Sequence, residues 1–430
     1  MGIPTLIAQL VNLLYNIVDR IYIGHIPDIG ATALTGVGLV FPITLLVSAS
    51  AALVMGGSPL VAMALGKEDV EEAKRYVGCG AAVLGTLSVV LGLLFYAIRE
   101  PVLYLFGASD ATYVYAESYI SVYLCGTFFI MLALGLNTYI TAQGRSKDAM
   151  ISTLIGAVLN IALDPVFIFA LGMGVRGAAL ATVISQAASC IWVIRILTGK
   201  KTTVTIERKY LRIDFKVAGK IFSLGVSPFI MQSTESLIYI VMYSMLAKYG
   251  NDLYVGTLTI MQSIMSLISV PIQGFTYGTQ PIVSYNYGAG KMDRVKKCAK
   301  LTLLITTIGS ALLTAIIITF PGFFAGLFTS DAQLRALTAS VMPIFLCGML
   351  IFGIQMGCQT VFLGLGQAKI SLFIAVLRKV ILLVPLAIIL PTITQSVYGV
   401  YAAEPIADAT AAIICGCLFI RKYRKLFKED

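Results

Sequence analysis

Charged residues are scarce in this chain, and histidine is almost absent. Asp, Glu, Lys and Arg make up 12% of the 430 residues, whereas a soluble globular domain carries about 25%. The single histidine, His25, cannot form a metal-binding histidine cluster or supply the paired His and Asp of a membrane acyltransferase. The eight cysteines show no spacing typical of zinc ligands. These shortages argue against a soluble fold, a His or Cys metal site and an enzyme of that type.

Long hydrophobic runs take the place of the missing charges. Hydrophobic residues make up 58% of the sequence, and a bilayer core about 30 Å thick is crossed by roughly 20 of them in a helix. Stretches such as Leu301–Phe320 lack the alternation over about ten residues that marks a membrane β-barrel. The sequence therefore predicts an all-α integral membrane protein with twelve transmembrane helices, at about residues 3–23, 34–64, 77–98, 118–142, 149–171, 177–197, 219–246, 255–283, 301–320, 337–364, 370–391 and 397–420.

The net charge of +10 comes from basic residues concentrated in alternate loops. Every second loop, the central segment 195–220 and the C-terminal tail together hold 24 Lys and Arg residues, and the other loops hold four. Loops rich in Lys and Arg stay in the cytoplasm. The basic balance therefore predicts topology, with a cytoplasmic C-terminus, and not a nucleic-acid partner.

The two halves of the sequence repeat one another. Gly66-Lys67 recurs at Gly290-Lys291 with an offset of 224, and after a two-residue slip the offset stays at 222. The matches at 222 are Leu105-Phe106 with Leu327-Phe328, Gly144 with Gly366, and Gly177 with Gly399. Each copy contains six predicted helices, so both copies enter the membrane from the same side. We predict two six-helix lobes related by a pseudo-two-fold axis along the membrane normal, an arrangement that favours a transporter over a channel or receptor.

The repeat also gives the predicted domain limits. The N-lobe covers 1–198, a cytoplasmic linker covers 199–216, and the C-lobe with its basic tail covers 217–430. The second copy has a lead-in before Gly225, the residue that aligns with Met1. We therefore expect the natural first half to begin upstream of Met1, or this segment to have been trimmed.

Polar side chains in the hydrophobic helices of the first half form a candidate cation-coupling site, since such residues are costly in a membrane. They are Gln9, Asn12, Asn16 and Asp19 along one face of helix 1, Tyr119 and Asn137 in helix 4, Asn160 and Asp164 in helix 5, and Thr182 in helix 6. Pro165 removes a backbone donor beside Asp164 and frees carbonyl oxygens. This set suits Na⁺ stripped of water or an exchanged proton. The alternative is hydrogen bonding between helices, worth about 0.6 kcal/mol for each group.

Amides and tyrosines dominate the polar positions of the second half and indicate a substrate cavity. The candidates are Gln232, Glu235 and Tyr239 of helix 7, Gln262 and Gln273 of helix 8, and Gln355 and Gln359 of helix 10. Such side chains suit large, variable, partly aromatic ligands, and the acid would attract their positive charge. Glu404 and Asp408 of helix 12 either join this cavity or pair with Arg378 and Lys379 of helix 11.

Five segments carry a family resemblance that runs through essentially the whole chain. They are Asn16-Ile-Val-Asp19-Arg-Ile-Tyr-Ile-Gly24, Asn160-Ile-Ala-Leu-Asp164-Pro-Val-Phe-Ile-Phe, Gly174-Val-Arg-Gly-Ala-Ala-Leu-Ala-Thr182, Pro281-Ile-Val-Ser-Tyr-Asn-Tyr-Gly-Ala-Gly290 and Gly364-Leu-Gly-Gln. Together they resemble the multidrug and toxic compound extrusion (MATE) transporters, and the first resembles most closely the bacterial branch of small multidrug exporters.

The resemblance implies export of cationic, lipophilic compounds in exchange for Na⁺ or H⁺ by alternating access. The family's N-lobe cation site maps onto Asp19, Asn160, Asp164 and Thr182, with Tyr119 and Asn137 nearby. Some members have a second site, formed by a Glu of helix 7 and an Asp of helix 10. Glu235 matches the first of these, but helix 10 has only Gln355 and Gln359, so we expect Glu235 to attract substrate.

The main rival is a flippase for lipid-linked sugars of the same broad architecture. Such a protein is expected to have more helices or arginines lining its cavity, whereas only Arg20, Arg378 and Lys379 are basic inside helices here. We expect a multi-pass protein of the bacterial cytoplasmic membrane that works as a monomer among lipids. We expect it to export small organic cations, with no catalytic residue and no cofactor beyond its coupling ion.

Overall fold

The computed structural model describes residues 2–24, 26, 30–106, 108, 110–199, 202–250, 252–328 and 332–426, and their regular structure is helical. They form two compact units, Ile3–Phe229 and Ile230–Asp430.

Among its described residues, the first unit contains six helical spans, two of which are broken at a glycine. Its helices are α1 (Gly2–Gly24), α2 (Gly30–Met55), α3 (Gly57–Gly66), α4 (Val70–Leu105), α5 (Asp110–Cys125), α6 (Thr127–Ala142), α7 (Ser146–Pro165), α8 (Gly174–Thr198) and the beginning of α9 (Phe215–Tyr249). The breaks lie at Gly56, between α2 and α3, and at Gly126, where α5 and α6 meet at 58°. A π-helical segment, Val166–Ala170, extends α7.

The segment between α8 and α9 packs on the first unit. Val204 is fully buried there, and its N–H donates to Gln143 Oε1 at 3.0 Å. The short helical turn Arg208–Tyr210 lies against α4, where the Tyr210 hydroxyl donates to Glu71. The linker and the first turns of α9 therefore group with the first unit, whereas the sequence repeat placed the start of the C-lobe at residue 217.

The second unit contains the remaining spans. Its helices are the rest of α9, then α10 (Asp252–Gly288), α11 (Met292–Thr319), α12 (Pro321–Gly326), α13 (Ala332–Leu346), α14 (Met349–Gly364), α15 (Ala368–Val376), α16 (Val384–Thr394) and α17 (Tyr398–Leu426). A π-helical segment, Leu377–Leu383, joins α15 to α16. The α13–α14 pair is bent by 46°. Helix α14 packs against α10, α11 and α17, which makes it the central helix of this unit.

The number of spans agrees with the sequence. Within the described residues, eight helical segments are long and apolar enough to cross a membrane, and the two bent pairs raise this to ten. Helices α1 and α9, of 23 and 35 residues, are also long enough to cross a bilayer. Together these make the twelve helices that the hydrophobic pattern predicts.

Candidate ion and substrate sites

The close packing of α7 on α8 positions the polar residues of helix 5. The Ser189 hydroxyl donates to the Ser152 carbonyl at 2.9 Å, and the Ser152 hydroxyl donates to the Ser189 carbonyl at 3.4 Å. Gly156 leaves room for this contact, because a Cβ atom there would lie 2.5 Å from Ser189 Oγ. Asn160 lies one turn further along α7 and therefore faces α8 at Thr182.

Asn160, Asp164 and Thr182 form one connected polar group. Asn160 Nδ2 donates to Asp164 Oδ1 at 3.2 Å and to Thr182 Oγ1 at 3.4 Å. Asn160 and Asp164 are buried. Among the described residues, Asp164 Oδ2 and Asn160 Oδ1 have no hydrogen-bond partner. Two buried oxygen acceptors are therefore left unsatisfied at this point, which is costly unless another group binds them.

Asp19 and Tyr119 complete this group, which we call the Asp164 site (Asp19, Tyr119, Asn160, Asp164 and Thr182). Asp19 interacts electrostatically with Asp164 and with Tyr119. The hydroxyl groups of Tyr119 and Thr182 are hydrogen bonded, and Tyr119 is buried. The structure thus brings together five of the six residues that the family motif suggested.

Asn137, the sixth residue, lies elsewhere. Its Nδ2 donates to the carbonyl of Ala149 at 3.1 Å. Ala149 precedes Asn160 by eleven residues, which is about 16 Å of helix. Asn137 therefore holds α6 to the beginning of α7 and lies outside the Asp164 site. Of the polar stripe on α1, the side chain of Asn16 lies outside the described residues.

Pro165 changes the helix directly after Asp164. The chain continues as the π-helical segment Val166–Ala170, and the N–H of Leu171 donates to the carbonyl of Val166 at 2.9 Å. Proline has no N–H to donate to the preceding turn, and π-helical turns often mark functional sites. The disturbance that the sequence predicts beside Asp164 is therefore present as a change of helix type.

In the second unit, five ionisable residues form a network that we call the Arg378 cluster (Glu235, Arg378, Lys379, Glu404 and Asp408). Arg378 Nε donates to Asp408 Oδ1 at 2.5 Å, and Arg378 Nη2 donates to Glu404 Oε1 at 3.4 Å. Lys379 Nζ donates to Glu235 Oε1. The Glu235 side chain is 38% exposed, whereas the other four are buried.

These contacts answer one question that the sequence left open and add a pair that it missed. Glu404 and Asp408 do pair with the basic residues of helix 11, but through Arg378, while Lys379 reaches Glu235 on α9. Neighbouring residues of a helix point in different directions, so they meet different helices. The only signal in the sequence was that a buried Lys needs an acidic partner.

The amides predicted to line a substrate cavity are mostly packed between helices. Gln355 and Gln359 lie on the central helix α14 and are buried, and Gln262 is buried as well. Gln359 Nε2 donates to Ser371 at 3.4 Å. Gln232 and Gln273 are half-buried, and the side chain of Tyr239 lies outside the described residues. In this structure Gln355 and Gln359 therefore do not face an open cavity, because neighbouring helices cover α14 on several sides.

Comparison with known proteins gives one consistent result. The family model described as MatE matches residues 4–166 and 228–389, two segments whose starts differ by 224, the offset of the internal repeat. Multidrug export protein MepA of Staphylococcus saprophyticus is 25% identical over 419 residues, which cover 96% of this chain and 91% of the relative.

Solved structures agree with the family match. A crystal structure of MATE in the bent conformation is 25% identical, with a TM-score of 0.92 and coverage of 100% of this chain and 95% of that one. An outward-facing multidrug resistance MATE family transporter of the MOP superfamily is 26% identical, with a TM-score of 0.89 and coverage of 100% and 96%.

Proposed function

The chain belongs to the MatE family, and from this premise we propose that it is a secondary active antiporter that exports cationic lipophilic compounds in exchange for Na⁺ or H⁺. Its relatives include a multidrug export protein, and its twelve helices in two lobes are those of MATE transporters. We further propose that it lies in the bacterial cytoplasmic membrane with its C-terminus in the cytoplasm, as the distribution of Lys and Arg between loops predicts.

The Asp164 site carries the proposal of ion coupling. A carboxylate enclosed among helices costs several kcal/mol unless an opposite charge or a proton accompanies it. Asp164 Oδ2 and Asn160 Oδ1 are buried acceptors without a partner among the described residues, and Thr182 Oγ1 lies within hydrogen-bond distance of Asn160. These oxygens suit Na⁺, and the Asp164 carboxylate suits a proton. Either cation would offset the repulsion between Asp164 and Asp19.

Alternating access then follows from differential affinity. If the coupling ion binds one conformation more tightly and the organic cation binds the other more tightly, each ligand shifts the equilibrium towards its own state. The ion enters down its gradient as the organic cation leaves. We propose that Glu235, the most exposed acid of the Arg378 cluster, attracts the organic cation.

Efflux from reconstituted vesicles tests this proposal. Ethidium efflux is measured with Na⁺ and pH gradients imposed separately, for the unsubstituted protein and for Asp164→Asn. We expect one gradient to drive efflux, and we expect the substitution to abolish the gradient-driven part because it removes the charge that binds the ion. Asp110→Asn is the matched control, since Asp110 is exposed at the start of α5 and accepts a hydrogen bond from Tyr104. Full ion-driven efflux by Asp164→Asn would overturn the assignment.

A further inference from the structure

The Arg378 cluster has more acids than bases. It contains three carboxylates, on Glu235, Glu404 and Asp408, and two basic groups, on Arg378 and Lys379. Four of its five side chains are buried. An unpaired buried charge is costly, so one more positive charge is needed to neutralise the cluster.

The negative charge that the two basic groups do not neutralise lies on the Glu404–Asp408 pair. Both carboxylates bind the same guanidinium, at 3.4 Å and 2.5 Å, through different nitrogens. Glu404 Oε2 and Asp408 Oδ2 are buried and have no hydrogen-bond partner among the described residues. In an enclosed site, two carboxylates that share one cation repel each other, so carrying a negative charge on both is costly. A single proton held between them removes the excess charge.

Apart from Arg378 and Lys379, the helical segments packed on α17 provide no other cation for this pair within the described residues. The titratable groups on them are Cys347 after α13, Cys358 on α14 and Arg335 at the beginning of α13, whose Nε donates to the Gly322 carbonyl. Helix α16 has no charged residue. The Phe352 ring lies 4.9 Å from the Arg378 guanidinium and covers it.

Lys379 interacts both with Glu235 and with the Glu404–Asp408 pair. Its ammonium binds Glu235 and also interacts electrostatically with Glu404. The four-carbon stem of lysine is flexible, so the ammonium can change partners. Glu235 is 38% exposed and Lys379 is 4% exposed, so a ligand can reach the carboxylate while the lysine stays inside the protein.

We propose that the Glu404–Asp408 pair is a proton-binding site and that an organic cation expels its proton through Lys379. The organic cation binds Glu235 and displaces the Lys379 ammonium, which moves to the acid pair. The proton leaves the pair for water as an O–H bond breaks and a bond to a water oxygen forms. One positive charge enters the cluster and one leaves, so its net charge stays at zero. This inference rests on the proposed export of organic cations.

The internal repeat places Glu404 at the position equivalent to Thr182 of the Asp164 site. Thr182 and Glu404 are 222 residues apart, the offset of the repeat in this part of the chain. Thr182 on α8 contacts the Asn160–Asp164 group on α7, and Glu404 on α17 contacts Arg378 beside α15. Corresponding helices of the two units therefore both contribute to a buried ionisable group. In the first unit the acid, Asp164, lies on the earlier helix of the pair, and in the second unit Glu404 lies on the later one.

Proton release on binding tests the proposal without any gradient. All variants carry Asp164→Asn, which removes the ion-binding carboxylate of the Asp164 site. Each purified protein is mixed with tetraphenylphosphonium in a weakly buffered solution that contains a pH indicator. We expect about one proton to be released for each cation bound. We expect Glu404→Gln to bind the cation with no release, and Lys379→Gln to bind it more tightly, also with no release. Lys379→Arg keeps the charge and should retain release.

Each result bears on a distinct claim. Binding with unchanged proton release in Glu404→Gln or Lys379→Gln overturns this inference alone and leaves antiport intact. Absence of binding in every variant refutes the substrate class and this inference with it. If Glu404→Gln does not fold, infrared difference spectra of the protein with an unsubstituted Arg378 cluster decide whether the cation expels a proton. The carbonyl band of a protonated carboxyl must weaken when the cation is added, and a constant band overturns the proposal.

Discussion

At the scale of single residues, Tyr139 shows how closely the helices of the first unit approach one another. Its side chain is fully buried, and its hydroxyl donates to the Val54 carbonyl at 2.8 Å, beside the break between α2 and α3. Gly80 on α4 faces the ring, and a Cβ atom there would overlap the hydroxyl and lie 2.8 Å from Cε2. Tyr139 thus satisfies a carbonyl near the broken span, and Gly80 leaves the space that it needs.

We predict that Gly80→Ala and Tyr139→Phe each lower the free energy of unfolding by about 1–3 kcal/mol, the first through overpacking and the second by leaving Val54 O unsatisfied. Their combined effect should be less than the sum, because removing the hydroxyl frees part of the space. Thermal unfolding in detergent measures this. Gly85→Ala on the same helix is the control, since among the described residues its Cβ would meet only Phe128, at 3.7 Å. If the effects of the two substitutions on the free energy of unfolding were strictly additive, the contact between Gly80 and the Tyr139 hydroxyl would be contradicted.

At the scale of helices, two glycines permit the crossing of α9 over the broken second span. A Cβ atom on Gly225 would lie 2.5 Å from the carbonyl carbon of Leu53, and one on Gly56 would lie 2.8 Å from Gly225 Cα. The backbones are therefore in direct contact. This contact explains why the first turns of α9 group with the first unit.

We expect Gly225→Ala to separate α9 from α2 and to lower both the yield of folded protein and its unfolding temperature. Gly219→Ala is the matched control on the same helix, because a Cβ atom there meets none of the described residues within 4 Å. That change should leave stability unchanged or raise it by up to about 1 kcal/mol through helix propensity. Equal effects of the two substitutions would refute the close crossing.

The linker between α8 and α9 is held to the first unit partly by ion pairs. Lys74 Nζ lies 2.7 Å from Glu207 Oε1, and Lys209 lies 3.4 Å from Glu207 Oε2. The hydrogen bond from Lys74 has the largest effect and lowers the pKa of Glu207 below its usual value of 4.5, and the hydrogen bond from Lys209 lowers this pKa as well. Because the docked linker favours the ionised carboxyl, its contribution is present above pH 4.5 and is lost as the pH falls through the lowered pKa.

We therefore predict that hydrogen exchange in residues 202–210, corrected for intrinsic rate, stays slow at pH 7 and pH 5 and rises below pH 4.5. Glu207→Gln should speed exchange already at pH 7, because it removes the charge that binds Lys74. Glu68→Gln, at an exposed position, is the control. Exchange in Glu207→Gln equal to that of the unsubstituted protein would contradict the role of this ion pair.

At the scale of the whole molecule, the alternating distribution of Lys and Arg predicts the orientation of every loop. In a variant without native cysteines, Lys291→Cys should react with a membrane-impermeant maleimide only in inside-out vesicles. Arg335→Cys, at the beginning of α13 on the side whose loops are poor in basic residues, should react only from the outside of intact cells. Both should react in detergent. The reverse pattern would overturn the orientation, and with it the cytoplasmic C-terminus.

The sequence by itself determined the class of the protein, its twelve helices, its family and the composition of the Asp164 site. Helix length and hydrophobicity are local properties, and they agree with the structure. Asn160 and Asp164 are one turn apart on a single helix, so their spacing already placed them together. The family motif added Asp19, Tyr119 and Thr182, which the fold also brings to this point.

Only the tertiary structure decided which polar groups inside the helices meet. Lys379 binds Glu235, 144 residues away in sequence. Asn137 serves helix packing, and Gln355 is buried within α14 and its neighbours. The reason is physical. The hydrophobicity of a segment predicts that it is buried in the membrane, but a buried charge is stabilised only by the atoms within a few ångströms of it. Those atoms come from other helices, whose rotation and depth are fixed by side-chain packing.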